Sequence, residues 1–338
     1  MKTFLTTLLL ALIAVFNLHA EALMSVPVAT LYHNGDVTQF YGSNALQDAH
    51  AAAVSGDIIT LNSGIFNACT ITKGITLRGA CMSTTPEMEE QGMRNTIIQN
   101  TMRIQVPSTE TQTLKFEDLN IYNDIYVDSV PHISFTRVLT SHYLYTYAAI
   151  NNFDAAQCSF YDVSTSNHDA ATVYSFVNSA IAFTNYSLPY HVNADHCVIG
   201  SLYASSGAYD GVFKNCIFTY YNYSNNSLPA GCAANYCVAI SRNMFSRCTA
   251  LECKTASMSE LFNYNYSSYT YGCFTNPLTE EAAATYLGSD GTQVGIYGGI
   301  LPFTMMPYNP VVTTCDIAGK TTVDGKLKVQ IEVKSVME

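Results

Sequence analysis

Along most of the chain, apolar and polar residues alternate in short bursts broken by Gly, Asn or Ser. The first such stretch, GDIITLNSGIFNACTITKGITLRGA at residues 56–80, places Ile58 and Thr60, then Ile71, then Ile75 and Leu77 on short strands. Alternation with period 2 over so few residues predicts half-buried strands. No Asn-Gly hairpin turn separates them, so the chain bends and continues in one rotational sense. Just upstream, Asn44 and Gln47 have capping-box spacing, and Leu46, Ala49, Ala52 and Ala53 recur at helical intervals, which predicts a short helix over 44–54.

An internal repeat extends the pattern. Phe or Ala, two residues, then a small or apolar residue recurs as Phe116/Leu119, Phe135/Val138, Ala155/Cys158, Phe176/Ser179, Ala194/Cys197, Phe213/Cys216 and Ala234/Cys237, in steps of 19, 20, 21, 18, 19 and 21 residues. Two positions further stand Ile121, Thr140, Phe160, Ile181, Ile199, Phe218 and Ala239, mostly apolar, as a strand with one inward face requires. A period near 20 containing period-2 strands predicts stacked coils of a parallel β-solenoid, each about 4.8 Å above the last. Residues 56–276 leave room for roughly eleven coils and about 50 Å of stack. A leucine-rich repeat shares the period, but its Leu-xx-Leu-x-Leu consensus is missing.

The ends read differently. Lys2, the apolar run 4–16 and the small residues Ala20 and Ala22 make residues 1–22 a secretory signal peptide, with the mature chain starting at Glu21 or Leu23. The apolar run is shorter than the roughly 20 residues a bilayer needs, so no transmembrane segment is expected after signal removal. Beyond the coils, TEEAAATY at 279–286 predicts a short helix, GSDGTQVGIYGG is rich in turns, and Pro302, Pro307 and Pro310 mark an irregular connector. Strands are expected at 311–317 and 327–333, joined through Asp324-Gly325, either covering the open end of the solenoid or docking elsewhere. The expected organisation is therefore signal peptide 1–22, N-terminal strand and helix cap 23–55, parallel β-helix 56–276, and C-terminal connector and strand element 277–338.

Composition narrows the partners. Only 12% of the 338 residues are charged, and 15 Lys and Arg against 26 Asp and Glu give a net charge of −11. That balance offers nucleic acid no electrostatic footprint. The reading is an exported protein: secreted, periplasmic or on the outer cell surface. Disulfides are then possible, yet the eleven Cys contain no CxxC and no zinc-type Cys/His spacing. The inward Cys158, Cys197, Cys216 and Cys237 are expected to form a ladder of free buried thiols. The rival is disulfides, with Cys197 bonded to Cys216, or Cys232 to Cys237, or Cys248 to Cys253.

The helix, the GDIITLNSG…ITKGITLRGA opening, the coils with inward Cys and Phe, and the GTQVGIYGG then DGKLKVQIEV ending resemble secreted right-handed parallel β-helix proteins of the pectate-lyase-like superfamily, of a type exported by Gram-negative gut bacteria. The resemblance covers nearly all of the mature chain. It implies an all-β, single-stranded right-handed parallel β-helix with an N-terminal capping helix and a small C-terminal β element. Fold alone does not set function. Likeness to the polygalacturonase-type hydrolases would imply an Asp-Asp pair, which is missing here, and the lyases would imply an Arg or Lys base near calcium-binding carboxylates. The 76-residue stretch 138–213 holds no Lys or Arg at all, which is unlike a groove for a polyanion.

Two candidate constellations remain. The position before the fourth residue of each repeat forms a column of Asp118, Arg137, Gln157, Asn178, His196, Asn215 and Tyr236. Functionally it is a polar stripe for a sugar chain, with Gln157, Asn178 and Asn215 binding, Arg137 as a charge clamp and His196 as a base. Structurally it is a set of turn residues, with Asp118 and Arg137 as a surface pair one rung apart; this reading is preferred. His142, His168 and His191 have no nucleophile at a fixed offset. Tyr is abundant, at 24 residues with no Trp. Tyr143, Tyr145 and Tyr147 alternate along one strand as a candidate binding face, with further clusters at 220–223 and 264–271. The expected function is a non-catalytic surface or secreted protein that binds a polysaccharide, a cell-surface glycan or a protein partner along a Tyr- and Asn-rich face, with no cofactor and no metal. A polysaccharide lyase or glycoside hydrolase is the alternative.

Overall fold

A computed structural model describes residues 26–306, apart from 91–92, 148–149, 166–171, 184–187, 205–206, 220–226 and 264–274, together with 311–317 and 329–334. The signal segment, His168 and the Tyr clusters at 220–223 and 264–271 lie outside the described residues. The chain folds as an all-β parallel solenoid of about nine turns. That is fewer than the expected eleven, because 80–95 is an insert carrying the short helix Pro86–Glu90 and the last rung ends at Thr255.

Each early coil has three short strands, and each strand pairs with its counterpart one turn later. The first face runs from Ile58–Leu61 through Thr76–Arg78, Asn152–Ala156, Val173–Val177 and His191–Asp195 to Thr249–Leu251. The second runs from Gly64–Asn67 through Ala180–Phe183 and Val198–Leu202 to Lys254–Thr255. A third joins Thr70–Ile71, Met102–Gln105, Ile125–Ser129, 143–146 and 162–165. The register is that of the sequence repeat: Phe116 pairs with Phe135, Phe135 with Ala155, Ala155 with Phe176, Phe176 with Ala194, Ala194 with Phe213 and Phe213 with Ala234. Phe116 and Phe135 stack with centroids 5.2 Å apart. No coil can bury its inward face alone; the ladder of coils buries Phe116, Phe135, Phe153, Phe176 and Phe213 almost completely.

From Asp118 onward, one residue per coil turns the chain from the first face to the second. Asp118, Arg137, Gln157, Asn178, His196, Asn215, Tyr236 and Glu252 all have φ between 47° and 56°, in the left-handed region. The amide of each of the five from Gln157 to Tyr236 still donates to the next coil, as Asn178 N to Asp195 O at 3.0 Å and His196 N to Lys214 O at 3.0 Å, so the ladder continues around the corner. The polar column is thus first of all a column of corners. Asn and Asp tolerate this region; Arg, Gln, His, Tyr and Glu adopt it at a cost of roughly 1–2 kcal/mol each.

The residue after each corner points inward. Here Cys158, Cys197, Cys216 and Cys237 form the expected ladder, and these four are free, as are Cys69, Cys81, Cys232, Cys248 and Cys253. Each thiol donates to carbonyls around the bend, as Cys216 Sγ does to Lys214 O at 3.1 Å and Ala194 O at 3.4 Å. Burial pushes the Cys158 thiol up to about 12 and those of Cys216 and Cys237 well above the usual value, so they remain protonated donors. Ser179 occupies the same position and does the same work, bonding Val177 O at 2.9 Å and Cys158 N at 3.0 Å.

At the N-terminal side, Val28–His33 pairs antiparallel with Asp36–Tyr41 and with Ile58–Leu61. The predicted helix is present as Ala45–Ala52, with Ala45, Leu46 and Ala49 buried. Its expected capping box is not made: Asn44 Oδ1 accepts instead from Asn67 Nδ2 at 2.8 Å. Lys73 caps the other end, its Nζ donating to the carbonyls of His50 at 2.6 Å and Ala53 at 2.7 Å. The second predicted helix is present as Glu280–Thr285, with Thr279 Oγ1 accepting from Ala282 N at 3.1 Å. Val311–Ile317 and Val329–Lys334 form an antiparallel pair.

Two predictions follow from these contacts. Glu252 is exposed at φ 52°, so Glu252→Asn should raise stability by about 0.5–1 kcal/mol, and β-branched Glu252→Val should lower it by at least that much. Urea unfolding of the two variants measures this; equal midpoints would contradict the corner strain. His50, 7% exposed, accepts from Thr72 N at 3.2 Å, and burial followed by the Lys73 charge lowers its pKa from 6.5 to about 4. The folded state therefore binds fewer protons than the unfolded state between those values. Stability should be full above pH 6.5 and fall by up to about 3 kcal/mol as pH drops to about 4. His50→Gln should flatten that part of the thermal melting profile, and an unchanged slope would assign the loss to other groups.

Candidate functional site

The corner side chains point outward from the bend, where a ligand strand could lie, and a strand does lie there. It is the chain's own segment 289–303. Asn178 Nδ2 donates to Ile296 O at 2.8 Å and Gly298 O at 2.7 Å. Gln157 Nε2 donates to Pro302 O at 2.5 Å. Asn215 Oδ1 accepts from Ser289 N at 2.8 Å, and its backbone carbonyl accepts from Gly295 N at 2.8 Å. The three amides expected to hold a glycan are buried and hold this strap instead.

The two weak catalytic candidates are also committed. His196 is 4% exposed, its Nδ1 lies 2.8 Å from Asp195 Oδ1, and its Nε2 lies 3.2 Å from Thr292 Oγ1 and 3.4 Å from Asp290 Oδ2. The carboxylate, imidazole and hydroxyl superficially resemble a triad. However, Thr292 Oγ1 donates to Asp290 Oδ1 at 2.9 Å and accepts from Gly299 N at 2.7 Å, so its proton is already placed. Partial burial alone would raise the Asp195 carboxyl, yet His196 and Asn215 hold it below the usual range. Arg137 makes a bidentate pair with Asp118, Nε to Oδ1 at 2.6 Å and Nη2 to Oδ2 at 2.8 Å. The expectation of a surface pair is corrected on one point: the partners are one rung apart, but their side chains are only 6% and 1% exposed. The insert 80–95 enters closely at this corner, where a Cβ on Gly79 would strike the Asp118 carbonyl.

The strap's apolar side explains an oddity of the middle strands. Ala180–Phe183, Ile217–Phe218 and Val238–Ala239 are buried at every position. Their inward residues fill the solenoid, while the outward Ala180, Ala182, Val198, Ile217 and Val238 pack with Val294, Ile296 and Phe303 of the strap. Burying such side chains is worth about 1.5–3 kcal/mol each, so the strap is part of the fold. Its glycines permit the approach: a Cβ on Gly298 would lie 2.6 Å from His196 Cδ2, and one on Gly295 2.6 Å from Ile217 Cδ1. Apolar residues at successive outward positions were the signal that a second layer covers this face.

What remains open is the aromatic cluster on the third face. Leu144 and Thr146 point inward, Thr146 bonding the buried Tyr174 hydroxyl at 2.9 Å, so Tyr143, Tyr145 and Tyr147 point outward. Tyr126, one rung earlier, is in register with Tyr145 and stacks on it with centroids 5.0 Å apart and planes 14° apart. Tyr145 also stacks on Tyr143 at 5.4 Å and on Tyr147 at 5.9 Å, and Tyr161 meets Tyr143 edge-on at 5.4 Å. Arg103, one rung before Tyr126, lies 5.2 Å from that ring's centroid and pairs with Asp128 at 2.6 Å. Asp124 lies 3.4 Å from the Tyr126 hydroxyl and 3.8 Å from His142. Tyr147 is 46% exposed. Sequence reading found the three Tyr of one strand and missed Tyr126, Tyr161, Arg103, Asp124 and Asp128. The repeat step of 19 that carries Phe116 to Phe135 also carries Tyr126 to Tyr145 and would have found the first of them.

A cavity of about 330 Å³ beside the last coils is lined by Ile240, Arg242, Thr255, Ala256, Ser257 and Glu260. Its carboxylate is already used, since Glu260 completes a capping box with Ser257. Among the described residues no group of three or more His, Cys, Asp or Glu is placed to hold a metal ion, and no helix is long and apolar enough to cross a membrane. No family model, curated protein or solved structure matches the chain.

Gly298→Ala tests the strap. The added Cβ strikes the Gln293 carbonyl and crowds His196, so amide hydrogen exchange over 289–303 should accelerate at least tenfold while the far-ultraviolet β signal persists. Unchanged protection would show that the glycine contact does not hold the segment.

Proposed function

We propose that this chain is a non-catalytic, exported solenoid that binds a glycan on the outer face formed by Tyr126, Tyr143, Tyr145 and Tyr147. One observation carries the reading: four Tyr rings from two successive coils gather on an outward face, rimmed by Arg103, Asp124 and Asp128. Aromatic surfaces pack against the C–H faces of sugar rings, and phenol hydroxyls and carboxylates bond their hydroxyl groups. A core role accounts for Tyr174, which is 2% exposed, but not for Tyr147. The non-catalytic part rests on Arg137, whose Nε and Nη2 are bound by Asp118, and on His196, whose two ring nitrogens face Asp195, Asp290 and Thr292. Export rests on the apolar segment 4–16 followed by small residues, which is an expectation from sequence. Membership of the pectate-lyase-like superfamily is likewise proposed from the solenoid fold and the opening and ending motifs.

Isothermal titration with soluble β-glucan, xylan and polygalacturonate, with parallel assays for reducing ends and unsaturated uronate, tests both parts. Binding of at least one polymer without product is expected. Tyr145→Ala and Tyr147→Ala should each weaken it at least tenfold, about 1.4 kcal/mol, with little change in melting temperature for the exposed Tyr147. Product release would overturn the non-catalytic reading, and binding indifferent to both substitutions would overturn the site.

A further inference from the structure

Resting on the glycan-binding reading of the Tyr face, we infer that its ligand is an uncharged polysaccharide, not a polyuronate or sulfated polymer. The charges on the face lead there. Arg103, the one cation among the rim residues named, is bound through Nη1 to Asp128 Oδ2 at 2.6 Å, and Gln105 Nε2 donates to the same oxygen at 3.0 Å. Asp124 accepts from Tyr143 N at 3.3 Å and stands next to the Tyr126 hydroxyl and His142. With His neutral, Arg103, Asp124 and Asp128 sum to −1. The strand bearing Tyr143, Tyr145 and Tyr147 lies in the stretch 138–213, which has no Lys or Arg, within a chain of net charge −11.

A polymer with one carboxylate per sugar would bring its charges against Asp124 and Asp128, with Arg103 already bound to Asp128. A neutral polymer meets a matched surface. The three Tyr of the strand span four residues at about 3.3 Å each, so about 13 Å, the length of a short oligosaccharide, and Tyr126 widens the platform by one rung. The Tyr145 phenol is a hydrogen-bond donor throughout the ordinary pH range, because burial, Asp124 and the neighbouring Tyr push its hydroxyl up to about 12. Uncharged donors and carboxylate acceptors suit sugar hydroxyls and give an affinity that salt hardly screens.

The experiment uses the mature chain with β-glucan and xylan as neutral probes, polygalacturonate as the anionic probe and chitosan as the cationic one. Each is titrated at 50 and 500 mM NaCl, with wild type and Tyr147→Ala. Expected is binding of a neutral polymer that changes less than threefold with salt and weakens at least tenfold in Tyr147→Ala, with polygalacturonate at least tenfold weaker. Tyr147-dependent binding of polygalacturonate or chitosan in preference to the neutral polymers would overturn the inference while leaving the Tyr face as the binding site. Binding of no polymer, or binding that ignores Tyr147→Ala, would overturn the underlying reading itself.

Discussion

The solenoid depends on a single backbone constraint, repeated once per coil from Asp118 onward: a residue held at φ near 50° between two short strands. Without that bend, a run such as Phe213 to Phe218 would continue straight, and its two apolar groups would face opposite sides of one sheet. With it, both point into the same core, and the residue just after the corner becomes a tight inward position. Cys and Ser fit there because each is small and carries a weak donor for the carbonyls that the bend brings close. The strain of Gln157, His196 and Tyr236 in the left-handed region is offset by the ladder bonds their amides retain and, for Gln157 and His196, by what their side chains grip.

That second use of the corners links fold and function. Side chains leaving a left-handed corner sit in a regular outward row, a natural seat for an extended chain. Gln157, Asn178, His196 and Asn215 use it to hold the strap, whose Val294, Ile296 and Phe303 cover the outward apolar residues of the second face. The groups best placed to bind an external polymer are thereby spent internally. On the third face, outward Tyr side chains meet one another across adjacent rungs.

The Arg137–Asp118 pair shows why position along the stack matters. The same corner geometry that leaves Glu252 exposed on the last coil buries this pair at the entrance of the insert 80–95, where Gly79 lies against the Asp118 carbonyl. Bidentate bonds offset part of the desolvation, which still holds the Asp118 carboxyl above its usual range, and removing either partner would strand the other. A candidate charge clamp is in this way a structural rivet, decided by what packs above it.

The repeat steps, the inward Phe and Cys, and the presence of both short helices were legible in the sequence, because each depends on local alternation or on identities recurring at a fixed spacing. Even the register of the coils was legible, since a one-residue slip would turn every inward group outward. What covers the outer faces was not. Asn178 reads equally as a turn residue or as a sugar contact, and only the return of residues 296–298 across 118 to 120 positions of sequence decides between them. Tyr145 likewise reads as a β-former until Tyr126 and Arg103 from earlier coils are placed beside it. Periodicity encodes which side of a strand a residue takes; whether that side meets solvent, a strap or another ring is set by long-range packing, which no local window contains.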